Sequence, residues 1–127
     1  MLPFSVDLKP GLPVAEQILF AVKKAVVTGQ LQPGDRFPSV RVLSQELRIN
    51  PNTAHKVIAT LVQERVLLTT PAVGSVVAPP ESAGRRERAE LLGPELERVL
   101  VEARQLGLEL EDLQGALAAQ WRRLGGR

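Results

Sequence analysis

Residues 37–56 constrain the fold of this chain more than any other stretch, because they predict two short helices joined by a tight turn. Ser39 can cap a first helix that runs to about Leu47 and carries one apolar face. Asn50 can cap the second helix, and Pro51 suits its first position, where no N–H is needed. A short polar helix start directly after a compact apolar helix is typical of a helix-turn-helix, whose second helix enters a DNA major groove tip first.

A helix and a β-hairpin are predicted on either side of this pair. Residues 13–28 place apolar side chains at three- and four-residue spacing, which indicates an amphipathic helix. Residues 66–70 and 75–77 are rich in β-branched residues and flank a turn signal, which predicts a small antiparallel hairpin. The predicted fold is therefore mostly α: a winged helix-turn-helix of three helices plus a hairpin over residues 1–78, with its recognition helix at about 50–64.

Residues 79–127 form a second predicted domain of a different kind. Regularly spaced apolar residues from 91 to 106 indicate one long amphipathic helix, which the pair Gly93-Pro94 should kink or divide. Gly107 should end that helix, and a last helix should begin near residue 110. The sequence thus predicts a short tail of two helices.

Two helices cannot bury two apolar stripes well in so short a segment, so the tail needs a partner. We expect a homodimer through residues 81–127, because two-fold symmetric reading of DNA needs one. The alternative is an intramolecular helical appendage that packs on the winged domain. The arginines at 85, 86 and 88 are interpreted as the wet faces of helices.

Composition and charge exclude several classes of function. The chain has no cysteine, which excludes a disulfide framework, a zinc finger and a thiol nucleophile. No catalytic constellation, glycine-rich phosphate loop or metal-ligand spacing is present, so neither an enzyme nor a cofactor is predicted. Residues 1–80 carry eight Lys/Arg against five Asp/Glu, whereas residues 81–127 carry eight against nine. The positive balance lies with the helix-turn-helix, as a polyanionic partner would favour.

The N-terminus and the apolar runs predict a cytoplasmic protein. Its first residues lack a cationic segment followed by an apolar one, so they do not resemble a signal peptide. No apolar run approaches the roughly 20 residues that are needed to span a bilayer, so no membrane partner is expected.

The exposed residues of the recognition helix have side chains suited to reading DNA. Asn50, Asn52 and Thr53 lie in its first turn, where Asn can contact adenine through two hydrogen bonds and Thr can offer a hydroxyl or a methyl group. Lys56, one turn further on, can meet guanine or phosphate. On the preceding helix, Arg41 can grip the DNA backbone that flanks the groove.

Three motifs together resemble the DNA-binding domain of a known bacterial family, over the segment from Pro13 to Val77. The first is GQLQPGDRFPS at residues 29–39, the second is Val40-Arg41 followed by Leu43 and Leu47, and the third is Asn50-Pro51-Asn52-Thr53. The combination is similar to the GntR family of transcriptional regulators, and the third motif and the short tail are similar to its YtrA subfamily. The resemblance implies a dimeric repressor that binds a palindromic operator, often near genes for an ABC-type transporter.

The resemblance also implies which side chains contact DNA. Family contacts map onto Ser39, Arg41, Asn50, Asn52, Thr53 and Lys56, and on the wing onto Thr70 and Gly74. His55, the neighbour of Lys56, completes the set of candidate contacts.

The chain departs from the family pattern at the turn and at the wing. Arg48 stands where the family usually has glycine, so we expect strain or a left-handed conformation there. Pro71 and Ala72 stand where the family wing usually carries a basic residue and a glycine. This uncharged wing keeps a second function class open, in which the winged domain is a protein-interaction module without sequence-specific DNA binding. The sequence does not identify a small-molecule effector.

Overall fold

The computed structural model describes residues 1–80 and 84–125, and the chain divides into two compact units, residues 1–80 and 81–127. The elements of the first unit are α1 (Val14–Val27), α2 (Val40–Leu47), α3 (Pro51–Gln63), β1 (Leu67–Thr70) and β2 (Gly74–Val77). Those of the second are α4 (Arg85–Glu90), a π-helical turn (Leu91–Glu95), α5 (Leu96–Gln105) and α6 (Leu110–Arg123). The predicted fold class, a mostly helical winged helix-turn-helix followed by a helical tail, is confirmed.

The core of the first unit forms where the apolar faces of its three helices meet the hairpin. Helix α3 packs against α1, α2 and β1, so its apolar face is enclosed on three sides. The side chains that lose all or nearly all of their exposure come from every element, and burial of each stabilises the fold by about 1.5–3 kcal/mol. The largest of them are Ile18, Val22, Leu31, Leu43, Val57, Leu61, Leu67 and Val77.

The N-terminal arm, residues 1–12, closes one side of this core, although no pattern in its sequence predicts this packing. Phe4 is buried, and its ring stacks on that of Phe37 with 5.7 Å between the ring centroids and 9° between the ring planes. The side-chain amide of Gln17 holds the arm, accepting from the N–H of Lys9 and donating to the carbonyls of Lys9 and Leu12. The stacked pair therefore ties the arm to the segment that leads into α2.

The turn between α2 and α3 depends on a left-handed residue, as the departure at position 48 predicts. Arg48 ends α2 with φ 55° and ψ 50°. Its N–H and that of Ile49 both donate to the carbonyl of Ser44, and these two hydrogen bonds close the last turn of the helix. Because Arg48 has a Cβ, this conformation costs roughly 1–2 kcal/mol relative to a right-handed one.

Arg48→Gly should therefore raise the free energy of unfolding by about 1 kcal/mol, because glycine adopts this conformation without a steric penalty. Arg48→Ala is the matched control, since it removes the same charge and keeps the Cβ. Urea unfolding of the full chain at fixed protein concentration measures both. A glycine variant that is no more stable than the alanine variant would contradict this account of the turn.

The hairpin is a two-stranded antiparallel sheet with one further residue paired at its edge. The register runs from Leu67 opposite Val77 at the base to Thr70 opposite Gly74 at the tip. Arg36, in the segment before α2, pairs with Val76 on the other side of β2 in an isolated antiparallel bridge. This bridge connects the segment before the helix-turn-helix to the wing.

The tail contains a π-helical turn where the sequence predicts a kink or a break. Pro94 has no N–H, and in a regular α-helix its ring would clash with the carbonyl of Glu90. The helical run from Arg85 to Gln105 therefore continues through one wider turn. Gly107 follows with φ 76°, and the N–H of Leu108 donates to the carbonyl of Ala103, a Schellman arrangement that ends the helix as predicted.

Almost nothing in the tail is buried within its own unit. Among residues 84–125, Ala103 alone has a buried side chain. Leu92 is 70% exposed and Leu117 is 67% exposed. None of the helices in the described part of the chain is both long and apolar enough to cross a membrane.

Candidate nucleic-acid interface

A side chain caps the N-terminus of α3. Asn50 has an extended backbone, and its Oδ1 accepts from the N–H of Asn52 at 2.8 Å. Pro51, at the first helical position, has no N–H to satisfy. The cap uses the side-chain oxygen Oδ1 of Asn50 and leaves the side-chain NH₂ group available as a donor. Since a bidentate adenine contact uses both the oxygen and the nitrogen of an amide, Asn52 is better placed for that contact than Asn50.

The polar and apolar residues of α3 separate onto opposite sides of the helix. Ala54, Val57 and Leu61 are fully buried against the rest of the first unit. Asn52, His55 and Lys56 are all exposed, and Thr53 is half-buried. Residues three and four apart share a helix face, so Asn52, His55 and Lys56 form one exposed surface that begins at the helix tip.

Helix α2 presents two candidate contacts in its first turn. The hydroxyl oxygen of Ser39 accepts from the N–H of Val42 at 3.2 Å, which caps the helix and leaves the hydroxyl hydrogen available to donate. Arg41 follows two residues later and is exposed. A hydroxyl, a guanidinium and a helix N-terminus together suit a phosphate group.

The cations of the helix-turn-helix are not neutralised by its carboxylates. Residues 37–64 contain two carboxylates, Glu46 and Glu64. Glu46 pairs with the N-terminal ammonium of the chain, and Glu64 pairs with Lys23 at 2.6 Å. Within the described residues, neither Arg41 nor Lys56 forms an ion pair, so both charges remain available to an anion.

The wing is a tight turn without charge. The N–H of Val73 donates to the carbonyl of Thr70 at 3.2 Å, and between them Pro71 is followed by Ala72 at φ 66°. Proline followed by a residue with positive φ is typical of a type II turn, which normally takes glycine at the second of these positions. The structure thus keeps the conformation that glycine would supply and places Thr70 directly opposite Gly74 at the wing tip.

The structure groups the predicted contacts at three places. Ser39 and Arg41 lie on the first turn of α2, and Thr70 and Gly74 lie at the wing tip. The five others lie on the first two turns of α3 or at its cap: Asn50, Asn52, Thr53, His55 and Lys56. Arg36 lies in the first motif but is not among the predicted contacts, because its pairing with the wing is a long-range contact that no local pattern encodes.

Comparison with known proteins identifies the fold and the family. The family described as "Bacterial regulatory proteins, gntR family" matches residues 14–77, half of the chain and nearly all of its winged helix-turn-helix. The chain belongs to the GntR family. It is a YtrA-like GntR regulator, being 29% identical over 109 residues to the "HTH-type transcriptional repressor YtrA" of Bacillus subtilis, with 85% of this chain and 84% of that protein covered.

Two further proteins are similar to this chain. The "HTH-type transcriptional regulator Rv1152" of Mycobacterium tuberculosis is 30% identical over 110 residues, with 84% of each chain covered. A crystal structure described as a transcriptional antiterminator from Listeria monocytogenes has a TM-score of 0.85 and 26% identity, and covers 98% of this chain and 93% of its own.

The GntR-family assignment makes this protein a transcriptional regulator with a DNA-binding domain. The prediction that it is not an enzyme is confirmed, because the family and the relatives are transcription regulators. In the described part of the chain, no group of three or more His, Asp or Glu side chains is arranged to hold a metal ion.

Proposed function

We propose that this GntR-family regulator is a dimeric repressor that binds a palindromic operator with α3 in the major groove. The observation that carries the proposal is the first two turns of α3, where Asn52, His55 and Lys56 are exposed while the opposite face is fully buried. A helix presented in this way can enter a groove tip first without uncovering the core.

Each candidate contact has a role that follows from its chemistry. Asn52 would read adenine, and Lys56 would contact guanine or phosphate one turn further along. Thr53 and His55 would contact neighbouring base edges or the sugar-phosphate backbone. Asn50 would donate its NH₂ group to a phosphate while its oxygen caps the helix. Ser39 and Arg41 would hold the backbone on the near side of the groove, with Thr70 and Gly74 against the backbone on the wing side.

The tail would form the dimer interface, by binding the tail of a second protomer. An open apolar groove of about 810 Å³ runs between its helices and is lined by Leu91, Leu92, Leu96 and Val99 on one side and by Leu117, Ala118 and Trp121 on the other. A contiguous apolar surface that a unit leaves exposed is a candidate protein interface. A second copy of the tail could fill both grooves symmetrically, since the two protomers of a two-fold dimer exchange identical contacts.

Repression is the regulatory outcome that we propose, because the Bacillus subtilis relative is named a repressor. From the family resemblance, we propose that the operator lies near genes for an ABC-type transporter. Binding to chromosomal DNA would also place the protein in the cytoplasm.

Selection of tight binders from a random duplex pool, followed by fluorescence anisotropy near physiological salt, tests the proposal. We expect an enriched palindromic sequence that binds two protomers with at least about a thousandfold preference over a scrambled duplex. No enrichment, together with equal weak binding to both duplexes, would contradict the proposal.

The wing favours one alternative from another class, a protein-interaction module. Its residues from Val66 to Val77 carry no charge, and Leu68 and Val73 are 46% and 42% exposed. An apolar wing could bind a protein partner. Retention on DNA that is specific and falls with salt favours the repressor, whereas DNA binding that is absent would favour the module.

A further inference from the structure

We propose that Arg36 contacts a DNA phosphate beside the wing and supplies the positive charge that the wing itself lacks. This inference rests on the proposed function and extends it to a residue outside the predicted contacts. Arg36 precedes α2 by four residues and pairs with Val76 of β2, so one cation links the helix-turn-helix segment to the wing.

The pairing fixes the face of the sheet on which Arg36 lies. Residues opposite each other in an antiparallel pair share a face, so Arg36 shares one with Val76, and Val76 shares it with Leu68. Phe37 follows Arg36 and Val77 follows Val76, so both lie on the other face of the sheet, where they are buried in the core. Arg36 therefore lies on the outer face of the sheet.

The same face leads to the wing tip. Side chains two residues apart on a strand share a face, so Thr70 and its partner Gly74 belong to the face that holds Arg36. Gly74 lies two residues from Val76, about 7 Å along the strand. The chain from Asp35 to Phe37 runs toward that tip, because the N–H of Val77 donates to the carbonyl of Asp35 and the N–H of Phe37 donates to the carbonyl of Ser75.

The charge of Arg36 is available to an anion. The side chain is exposed, and across the described residues no carboxylate forms an ion pair with it. Its neighbour Asp35 is engaged elsewhere, since its Oδ2 accepts from the N–H of Gln32 at 2.8 Å. The hairpin from Val66 to Val77 has no charge of its own, so Arg36 is the cation that the pairing brings to this sheet. A guanidinium in this position matches a phosphate oxygen pair.

The test compares Arg36→Ala and Arg36→Gln with the parent protein on the selected operator and on a scrambled duplex, over a series of salt concentrations. Each protomer of the dimer loses one phosphate contact, so binding to both duplexes should weaken by the same factor, about thirtyfold at about 0.15 M salt. The slope of log K against log salt should fall in magnitude by about 2, which is about 1 for each protomer. Arg36→Lys, which keeps the charge, should retain most of the slope.

Lys24→Ala is the matched control, because Lys24 is an exposed cation of α1 that forms no ion pair in the described parts of the chain. Its removal should leave the slope unchanged. Unfolding midpoints equal to that of the parent show that the variants are folded.

Two results would overturn the inference while the proposed function stands: folded Arg36 variants with the parent's slope, or a loss confined to the operator, which would indicate a base contact. A parent protein that shows neither operator preference nor salt dependence would overturn both.

Discussion

Leu117→Glu should convert the regulator into a monomer and weaken operator binding by about a hundredfold or more. Leu117 lies at the middle of α6, is 67% exposed within its own unit and lines the apolar groove of the tail. If a second tail covers this groove, the substitution places an unpaired carboxylate in a desolvated interface, which costs several kcal/mol. A monomer then binds one half-site alone, and it loses the gain in affinity of about 10²–10⁴-fold that linking two binding domains provides.

Ala119→Glu is the control for this substitution. Ala119 is exposed on the same helix but lies two residues from Leu117, on the opposite side of the helix, and it does not line the groove. It receives the same charge and should stay dimeric and bind normally. Analytical ultracentrifugation gives the mass, and anisotropy on the selected operator gives the affinity. A dimeric Leu117→Glu variant with the parent's affinity would refute the tail interface.

Asn52→Ala should weaken operator binding by about 1–3 kcal/mol at each half-site and leave binding to a scrambled duplex unchanged. The side chain of Asn52 is exposed at the tip of α3, and only its backbone N–H is used by the Asn50 cap. Alanine keeps that backbone bond, so the fold should not weaken. Truncation leaves the adenine edge without its two hydrogen-bond partners, which is a loss of discrimination and not of general affinity.

Gln63→Ala is the matched control for the loss of an amide. Gln63 is exposed at the other end of α3, about 16 Å from Asn52 along the helix axis. Its removal should not change either affinity. If a folded, dimeric Asn52→Ala variant binds the operator with the same affinity as the parent protein, Asn52 does not read the operator. An equal loss on both duplexes would identify a backbone contact instead.

The local elements of the first unit could be predicted from the sequence because each has its own signal. Ser39 and Asn50 cap the helices that they precede, as the sequence predicts. The unusual arginine at position 48 adopts the left-handed conformation that the family's glycine would adopt. These outcomes depend on side chains and backbone within a few residues, which is the range over which sequence patterns act.

The sequence predicts only part of the candidate site. The exposed positions on α3 follow from helical spacing, but the use of the Asn50 oxygen as a cap appears only in the hydrogen bond to Asn52. The stacking of Phe4 on Phe37 and the bridge from Arg36 to Val76 join segments that are distant in the chain. No periodic pattern encodes such pairs.

The sequence by itself determined the element order of this protein, its helix caps and turns, and its membership of a DNA-binding family, because caps, turns and amphipathic periodicity are local in cause. The tertiary structure decided what long-range contacts control: the arm that closes the core, the face on which Arg36 lies, and the extent of apolar surface that the tail leaves exposed. Burial and strand pairing depend on residues that meet only after the chain has folded, so their outcome is fixed by packing and not by any single segment.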